Sequence, residues 1–339
     1  MRIGIIGCGA IARFRHAPEC MLNPQIEIAG FFDLVKDRAK EMAGKYGGRV
    51  YEAYENMISD EKVDAVIVCT SNATHAEVTI KSLKAGKHVL CEKPMATTVD
   101  DGILMSKTSK ECGKLLMIAQ NQRMDAAHIK AKEIIKSGIV GKVVSFRTEF
   151  SHSGPENWGV DKTKGTWFFN KSMAILGAMG DLGVHKIDLM RWMLEDEFAS
   201  VTAVMGAFDK RTSEGKPIGV DDNAICLLTT QNGAIGTITA SWSNYGSVDN
   251  STTIYCSNGV VKILAEQEYG VEATLKSREK ILYSLPEQVK SGIVDAFADA
   301  VINKKESPIS GEDVVKTLKV VFSAMEASST GSKVLMKYL

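Results

Sequence analysis

The chain has 339 residues, of which 45% are hydrophobic and 24% charged, and its 41 basic side chains balance its 41 acidic ones. This length predicts two domains, and the composition is typical of a globular enzyme. The charge balance gives no support for a nucleic-acid or membrane partner, and no apolar run approaches the roughly 20 residues that cross a bilayer. The 7 cysteines form no C-x-x-C pair, so we expect reduced thiols, a cytoplasmic location and no metal.

The first segment, residues 2–12, predicts a short strand that runs into a Gly-x-Gly-x-x-Ala turn and a helix. Gly7 allows the tight turn, Gly9 lets a pyrophosphate approach the backbone, and Ala12 lets the helix lie close to the strand. A truncated secretory signal is the alternative, which the short, glycine-interrupted apolar run disfavours. The candidate cofactor-binding residues of this segment are Gly7, Gly9, Ala10, Ile11 and Ala12.

A second strand, 26–32, ends at Asp33, about 20 residues beyond this turn, where a carboxylate can bind the ribose hydroxyls of a dinucleotide. Because a 2′-phosphate would face that carboxylate, we expect NAD. Lys36 and Arg38 lie close enough to leave NADP open, and Arg38 is a further candidate cofactor-binding residue.

Strands and helices then alternate up to residue 119, which predicts a doubly wound parallel sheet and a first domain over 1–122. The predicted helices are 36–46, 74–85 and 99–112, and the predicted strands are 49–51, 63–69, 88–91 and 115–119. Ligands of such sheets bind beyond the carboxyl ends of the strands. The further cofactor candidates at that edge are Thr70, Ser71, Asn72, His75, Glu92, Lys93 and Asn121.

The pattern changes after residue 122, and a helix at 126–136 is followed by strands joined by hairpin signals at 231–233 and 257–259. This predicts an α+β second domain over 123–339 with a mostly antiparallel sheet. The predicted strands are 143–151, 201–208, 223–230, 234–241, 252–256, 260–264 and 273–275, and the closing helices are 286–303 and 311–328.

The segment 153–172 has no regular hydrophobic period and carries Trp158 and Trp167. These two side chains either stack on a sugar or nicotinamide or fix the loop to the hydrophobic core.

Three side chains are candidates for chemistry. Lys93 follows a strand beside the expected cofactor, where its ammonium can stabilise a developing alkoxide. Asp181 and His185 are four residues apart and would share one helix face, so that the carboxylate orients an imidazole that accepts a hydroxyl proton. The structural alternatives are a helix-capping Asp181 and a core-packed His185. No third ligand is visible nearby, so we expect no metal.

Together these motifs resemble the Gfo/Idh/MocA family, which includes glucose–fructose oxidoreductase and inositol dehydrogenase. The resemblance covers nearly the whole chain, and Glu92-Lys93-Pro94 is its most specific motif. Its other elements are the Gly-x-Gly-x-x-Ala turn, Asp33, residues 70–72 with His75, 86–89, 121–123, and Asp181 with His185.

The resemblance implies a Rossmann domain, then an α/β domain whose open sheet often mediates dimers or tetramers. It also implies that Lys93, Asp181 and His185 form the catalytic group, and that Glu92, Asn121 and residues 70–72 line the cofactor. The candidate substrate-binding residues are Lys93, Arg123, Trp167, Asp181 and His185. Residues 174–180 replace a Gly-Gly-Gly run that many members carry, and Met124 replaces a frequent aromatic residue.

The sequence therefore predicts an NAD(P)-dependent oxidoreductase that acts on a secondary alcohol or ketone of a sugar, polyol or sugar derivative. In this hypothesis His185 takes the hydroxyl proton, Asp181 orients His185, and Lys93 polarises the oxygen. Two alternatives remain: a non-catalytic, dinucleotide-binding regulator of a sugar pathway, and an NAD-dependent, redox-assisted glycoside hydrolase. The expected assembly is a homodimer or homotetramer formed through the C-terminal sheet.

Overall fold

A computed structural model describes residues 1–160, 162–264, 269–285 and 287–338. Its first half contains a six-stranded parallel sheet with the strand order β3-β2-β1-β4-β5-β6. The strands are β1 (Arg2–Ile6), β2 (Glu27–Phe32), β3 (Arg49–Val50), β4 (Ala65–Val68), β5 (His88–Cys91) and β6 (Leu116–Ile118). The helices are α1 (Ala17–Leu22), α2 (Lys36–Tyr46), α3 (Tyr54–Ile58), α4 (His75–Lys84) and α5 (Val99–Cys112). This arrangement confirms the predicted doubly wound sheet.

The strand order reverses between β1 and β4, which makes the crevice above these two strands the expected ligand site. Gly7 ends β1 with a φ of 94°, and a Cβ on Gly7 would lie 2.5 Å from the carbonyl oxygen of Cys69 at the end of β4. Position 7 therefore needs glycine both for its left-handed backbone conformation and for the close approach of the two strand ends.

The second half contains a nine-stranded sheet with the order β14-β13-β12-β11-β7-β10-β9-β8-β15. Its strands are β7 (Val143–Ser151), β8 (Phe198–Gly206), β9 (Asn223–Thr230), β10 (Ile235–Ser241), β11 (Thr252–Cys256), β12 (Gly259–Ile263), β13 (Val271–Leu275), β14 (Lys280–Tyr283) and β15 (Val334–Leu335). Only the central β7–β10 pair is parallel among these strands. The mostly antiparallel α+β half is therefore confirmed, whereas α3, β14 and β15 had no sequence signal.

The helices after α5 are α6 (Ala126–Lys136), α7 (Pro155–Trp158), α8 (Lys171–Ala174), α9 (Val184–Leu194), α10 (Ile293–Ile302) and α11 (Gly311–Thr330). Of these, α6, α9 and α11 pack against strands of the second sheet. The predicted start of α10 at Pro286 lies outside the described residues. The helix begins only at Ile293, because Gly292 before it has a left-handed φ of 79°.

Helix α11 packs against both sheets. Val314 and Leu318 belong to the hydrophobic core of the first half, whereas Val321 and Ala324 belong to the core of the second half. Phe297 of α10 also packs in the first core. Helices α10 and α11 therefore complete the core of the nucleotide-binding half. The domain boundary at residue 122 remains a prediction.

The outer face of the second sheet is apolar. Four apolar side chains on β8, β9 and β10 point to this face and are more than half exposed: Val204 (65%), Ile225 (57%), Leu227 (55%) and Ile235 (53%).

In the part of the chain that the structure covers, no helix combines the length and apolarity needed to cross a membrane. All 7 cysteines are free, and 5 of them are buried.

Candidate active site

The turn after β1 has the shape of a phosphate cradle. A Cβ on Gly9 would meet no atom within 4 Å, so this glycine faces open space, whereas Ala12 is fully buried against the sheet. The chain becomes helical from Ala10 onward, which presents free N–H groups at the helix start. These features fit the pyrophosphate of a dinucleotide, and binding by Gly7, Gly9, Ala10, Ile11 and Ala12 remains a prediction.

Asp33 lies at the adjacent strand end. One of its carboxylate oxygens accepts the Cys8 N–H at 2.7 Å, and the other accepts the Val35 N–H at 2.7 Å. These two hydrogen bonds hold the carboxylate beside the glycine turn and leave further lone pairs, which ribose hydroxyls can use. The predicted contacts of Asp33 and Arg38 with the adenosine side of the cofactor stay predictions.

The turn after β4 carries His75 and Asn72, two predicted cofactor residues that are hydrogen-bonded within the protein, and their cofactor contacts stay predictions. His75 is 1% exposed, and its two ring nitrogens lie 2.8 Å from the Pro94 carbonyl and 3.1 Å from the Thr70 carbonyl. This imidazole therefore links the turn that follows β4 to the turn that follows β5. Asn72 is also buried and donates its amide to the Ala174 carbonyl at 2.9 Å, so it joins the two halves of the molecule. Thr70 and Ser71 are half-buried and remain predicted cofactor ligands.

Glu92 is almost completely buried at the base of this edge. Its carboxylate lies 2.7 Å from Nε2 of His16 and also accepts the Lys93 N–H at 3.0 Å. Burial raises the pKa of Glu92, but the hydrogen bond and charge of His16, together with Lys93, outweigh that effect and lower it to about 2. Glu92 is therefore an anion that fixes the backbone of Lys93, and direct cofactor contacts of Glu92 and Asn121 remain predictions.

Lys93 and Asp181 meet across the two halves of the protein. The Lys93 ammonium donates to Oδ1 of Asp181 at 2.7 Å and to its backbone carbonyl at 2.8 Å, although 88 residues separate the two in the chain. The other carboxylate oxygen of Asp181 accepts the indole N–H of the fully buried Trp242 at 3.1 Å. These contacts confirm that the two predicted residues come together, and they orient the ammonium at the carboxyl edge of the first sheet.

The predicted Asp181–His185 hydrogen bond is absent from the described contacts, so the carboxylate does not orient this imidazole. Residues Met179–Gly183 form a π-helical segment ahead of α9. The two carboxylate oxygens of Asp181 instead accept hydrogen bonds from the Lys93 ammonium and the Trp242 indole. Nδ1 of His185 is buried without a hydrogen-bond partner among the described residues. Burial, followed by the charges of Lys93 and Arg15, lowers the pKa of His185 well below 6.5.

The sequence analysis missed a second imidazole beside Asp181. His152, one residue after β7, places Nε2 3.8 Å from Oδ2 of Asp181. Nδ1 of His152 accepts the Gly154 N–H at 3.0 Å, so a neutral His152 carries its proton on Nε2, facing the carboxylate. Burial lowers the pKa of His152 against the attraction of Asp181. No local pattern marks His152, because its partners come from other elements.

Segment 153–172 lies against this site through aromatic rings. Phe168 stacks on Trp167 with a centroid distance of 3.9 Å and also contacts Trp158 at 5.2 Å and Trp242 at 6.3 Å. Lys210 holds the start of the segment through Glu156 at 2.6 Å. Since Trp242 donates to Asp181, these aromatic rings pack next to the Lys93–Asp181 pair, and substrate stacking on the half-buried Trp167 stays a prediction.

Arg123 forms ion pairs within the protein, and its predicted role in substrate binding stays a prediction. Its guanidinium forms a two-point ion pair with Asp188, both contacts at 2.6 Å, and a third contact with Asp313 at 2.7 Å. Arg123 is 5% exposed, and its donors are already used by these carboxylates. It therefore ties the start of α6 to α9 and α11. Met124, where an aromatic residue is frequent, packs at the edge of the first core.

A buried basic cluster lies behind His185. Lys186 is fully buried, donates to the Asn250 carbonyl at 2.9 Å, and has a pKa lowered by burial to about 7. His128 is also fully buried, and its Nε2 has no partner among the described residues. No group of three or more His, Cys, Asp or Glu side chains in the described ranges could hold a metal ion.

Two sequence models of one family match most of the chain. Residues 1–120 match the oxidoreductase family, NAD-binding Rossmann fold, and residues 128–262 match the GFO/IDH/MocA C-terminal domain. Fold and site thus define a nucleotide-dependent oxidoreductase. The chain belongs to the Gfo/Idh/MocA oxidoreductase family, as its motifs predicted, and its first domain is an NAD-binding Rossmann fold.

The chain is similar to characterised enzymes and solved structures. It is 28% identical over 336 residues to myo-inositol 2-dehydrogenase of Thermotoga maritima, covering 96% of each chain. It is 33% identical over 211 residues to levoglucosan dehydrogenase of Pseudarthrobacter phenanthrenivorans, covering 57% of this chain and about half (53%) of that enzyme. A crystal structure of GenD2 from gentamicin A biosynthesis, in complex with NAD, superposes with a TM-score of 0.86 at 25% identity, covering 100% of this chain and 97% of that one.

Proposed function

We propose that this enzyme transfers hydride between the nicotinamide of NAD(H) and a secondary alcohol or ketone of a sugar or polyol. The observation that carries the proposal is the Lys93–Asp181 pair, which places an oriented ammonium at the cofactor edge of the first sheet. Relatives named for inositol and levoglucosan support a polyhydroxylated substrate. Asp33 supports NAD over NADP, because a 2′-phosphate would approach its carboxylate.

The bound nicotinamide supplies the hydride acceptor, and the protein positions the alcohol and removes its proton. Lys93 donates a hydrogen bond to the reacting oxygen and stabilises the negative charge that develops there. Asp181 keeps the ammonium in place, so its role is to position Lys93. His185 accepts the hydroxyl proton, since its lowered pKa keeps the imidazole neutral near pH 7. His152 is a second neutral imidazole that can bind a neighbouring hydroxyl.

The proposal is tested with a panel of sugars, inositols and anhydrosugars, each incubated with NAD or NADP while absorbance of the reduced cofactor is recorded. We expect steady NADH formation with at least one member and slower turnover with NADP. Tight NADH binding without turnover of any member would favour a dinucleotide-binding regulator. Release of sugar from glycosides that requires NAD but yields no net NADH would favour a redox-assisted glycoside hydrolase.

The outer sheet face supports a homo-oligomer as the working form. Val204, Ile225, Leu227 and Ile235 form a contiguous apolar stripe, and such stripes on proteins in water usually lie in an interface. A second copy of the chain is the proposed occupant. Light scattering after size-exclusion chromatography should give a dimer or tetramer, and a double variant, Ile225→Glu with Leu227→Glu, should give a smaller species. A monomeric wild-type protein would contradict this assembly.

A further inference from the structure

A pocket of about 290 Å³ lies next to the active site, between the first helix and the segment that precedes α10. Its lining residues are Phe14, Arg15, Glu19, Asn121, Asp125, Gln288, Val289, Lys290 and Ser291. Asn121 lies at the carboxyl edge of the first sheet, so the pocket opens beside the cofactor cleft. Its volume is at the lower end of ligand sites, which suits a group of monosaccharide size.

Most polar groups in this pocket are already paired. Glu19 accepts the N–H of Ser291 at 2.7 Å and its hydroxyl at 3.0 Å. Lys290 lies 3.2 Å from Asp295 and also donates to a backbone carbonyl. Asp125 caps α6 by accepting the Ala127 N–H at 2.8 Å. Glu19 and Asp125 therefore accept hydrogen bonds within the protein, and only Lys290 has an oppositely charged partner, Asp295.

Arg15 differs from its neighbours. Arg13 donates to Glu41 and to the Cys8 carbonyl, and His16 binds Glu92. For Arg15, by contrast, the described part of the chain provides neither a hydrogen bond nor an ion pair, although its side chain is half-buried in the pocket wall. A guanidinium has five donors, and those of the half-buried Arg15 are available to an anion or to hydroxyl groups of a ligand.

The charge of Arg15 acts on two residues of the candidate active site, His185 and Glu92. After burial and Lys93, its positive charge is the next cause that lowers the pKa of His185, and it also acts on Glu92. The guanidinium is therefore within electrostatic range of the proposed proton acceptor. Arg15 and Asn121 line the same pocket, so this charge lies on the side of the pocket wall that also reaches the carboxyl edge of the first sheet.

We propose that Arg15 selects sugar substrates that carry an anionic substituent, either a phosphate ester or a carboxylate. The planar guanidinium fork matches both groups with two parallel hydrogen bonds. This inference rests on the proposed sugar dehydrogenase function and adds a substrate class to it. The substituent occupies the Arg15 pocket, while the reacting hydroxyl lies at Lys93.

The test measures binding by calorimetry to the NADH-loaded enzyme, with glucose 6-phosphate, glucuronate and glucose as probes. A charged hydrogen bond is worth about 1.5–3 kcal/mol, so at least one anionic probe should bind roughly tenfold or more tightly than glucose. Arg15→Gln should abolish this preference, and Arg15→Lys should restore part of it. Arg13→Gln is the matched control, because that arginine is paired with Glu41, and it should keep the preference. The two anionic probes separate phosphate from carboxylate recognition.

Several results would overturn the assignment. Equal affinity for glucose and both anionic sugars, an unchanged preference in Arg15→Gln, or no detectable binding of either anionic sugar at millimolar concentration would each contradict it. If Arg15→Gln weakened NADH instead, Arg15 would be a cofactor ligand. Binding does not require turnover, so an enzyme that binds anionic sugars through Arg15 but oxidises nothing would refute only the proposed reaction.

Discussion

The two sides of the cleft are built differently. On the nucleotide side, the site is formed by backbone: a glycine turn, a helix start and strand ends that follow each other closely in sequence. On the substrate side, it is formed by side chains from distant elements, such as Lys93 with Asp181, and Asp181 with Trp242. Backbone geometry is robust to most substitutions, whereas the side-chain assembly depends on each partner. Substitutions on the two sides should therefore affect different quantities.

Lys93→Met should give the largest effect. It removes the donor that stabilises the reacting oxygen, so kcat should fall about 10³-fold while the Kd for NADH changes little. Steady-state kinetics and fluorescence titration of NADH measure the two quantities. Near-normal turnover in this variant would remove Lys93 from the mechanism.

His185→Asn should lower kcat about 10²-fold, as expected for loss of a general base. Because the pKa of His185 lies well below 6.5 in the folded protein, alcohol oxidation should lose rate on acidification only below pH 6.5. The acidic limb of the kcat/KM profile should disappear in the variant. His152→Asn is the matched comparison: if that substitution removes the limb and His185→Asn does not, the proton acceptor is His152.

A pair of glycine substitutions separates folding from cofactor binding on the backbone side. Gly7→Ala should destabilise the protein, because the new Cβ meets the Cys69 carbonyl in a left-handed backbone conformation. Gly9→Ala should fold normally, since nothing lies within 4 Å, but should raise the Kd for NADH about tenfold by intruding on the pyrophosphate. Urea unfolding and NADH titration test both variants, and the same response from both would contradict the distinction.

The smallest effect concerns Lys186, whose pKa is 10.5 in its unperturbed state and about 7 in the folded protein. Between these values the unfolded chain binds a proton that the folded protein does not, so this group makes stability rise with pH by at most about 1.4 kcal/mol per pH unit. Lys186→Met should remove that contribution. The free energy of unfolding, measured in urea at about pH 7.5 and pH 9, should rise less with pH in the variant than in the wild type. Parallel profiles would show that Lys186 is charged when buried.

The sequence predicted the features that depend on short-range patterns. The glycine turn, the parallel strands and helices such as Lys36–Tyr46 appear where periodicity placed them. The family resemblance also implied that Lys93 and Asp181 belong to one catalytic group and therefore lie close together. The residues at the cofactor edge of the first half could be predicted because strand ends of a parallel sheet share one edge, whereas Asp181 was placed with Lys93 only through the family resemblance.

The remaining features depend on contacts that no local pattern encodes. The spacing of four residues did not predict the partners of Asp181, because Lys93 and Trp242, both distant in the chain, donate to its carboxylate oxygens. His152 gains its role only through folding, and the partners of Arg123 lie 65 and 190 residues away in the chain. An ionisable residue type alone does not distinguish a buried structural pair from a substrate ligand.

Helix α11 has a consequence for how the protein is made. Gly102 of α5 packs so closely on this helix that a Cβ would lie 2.9 Å from Leu318. The nucleotide-binding half is synthesised before the second half, yet it lacks this apolar cover until α11 has also been synthesised. A nascent chain that stops before α11 therefore exposes an apolar surface, which makes it a natural client for chaperones.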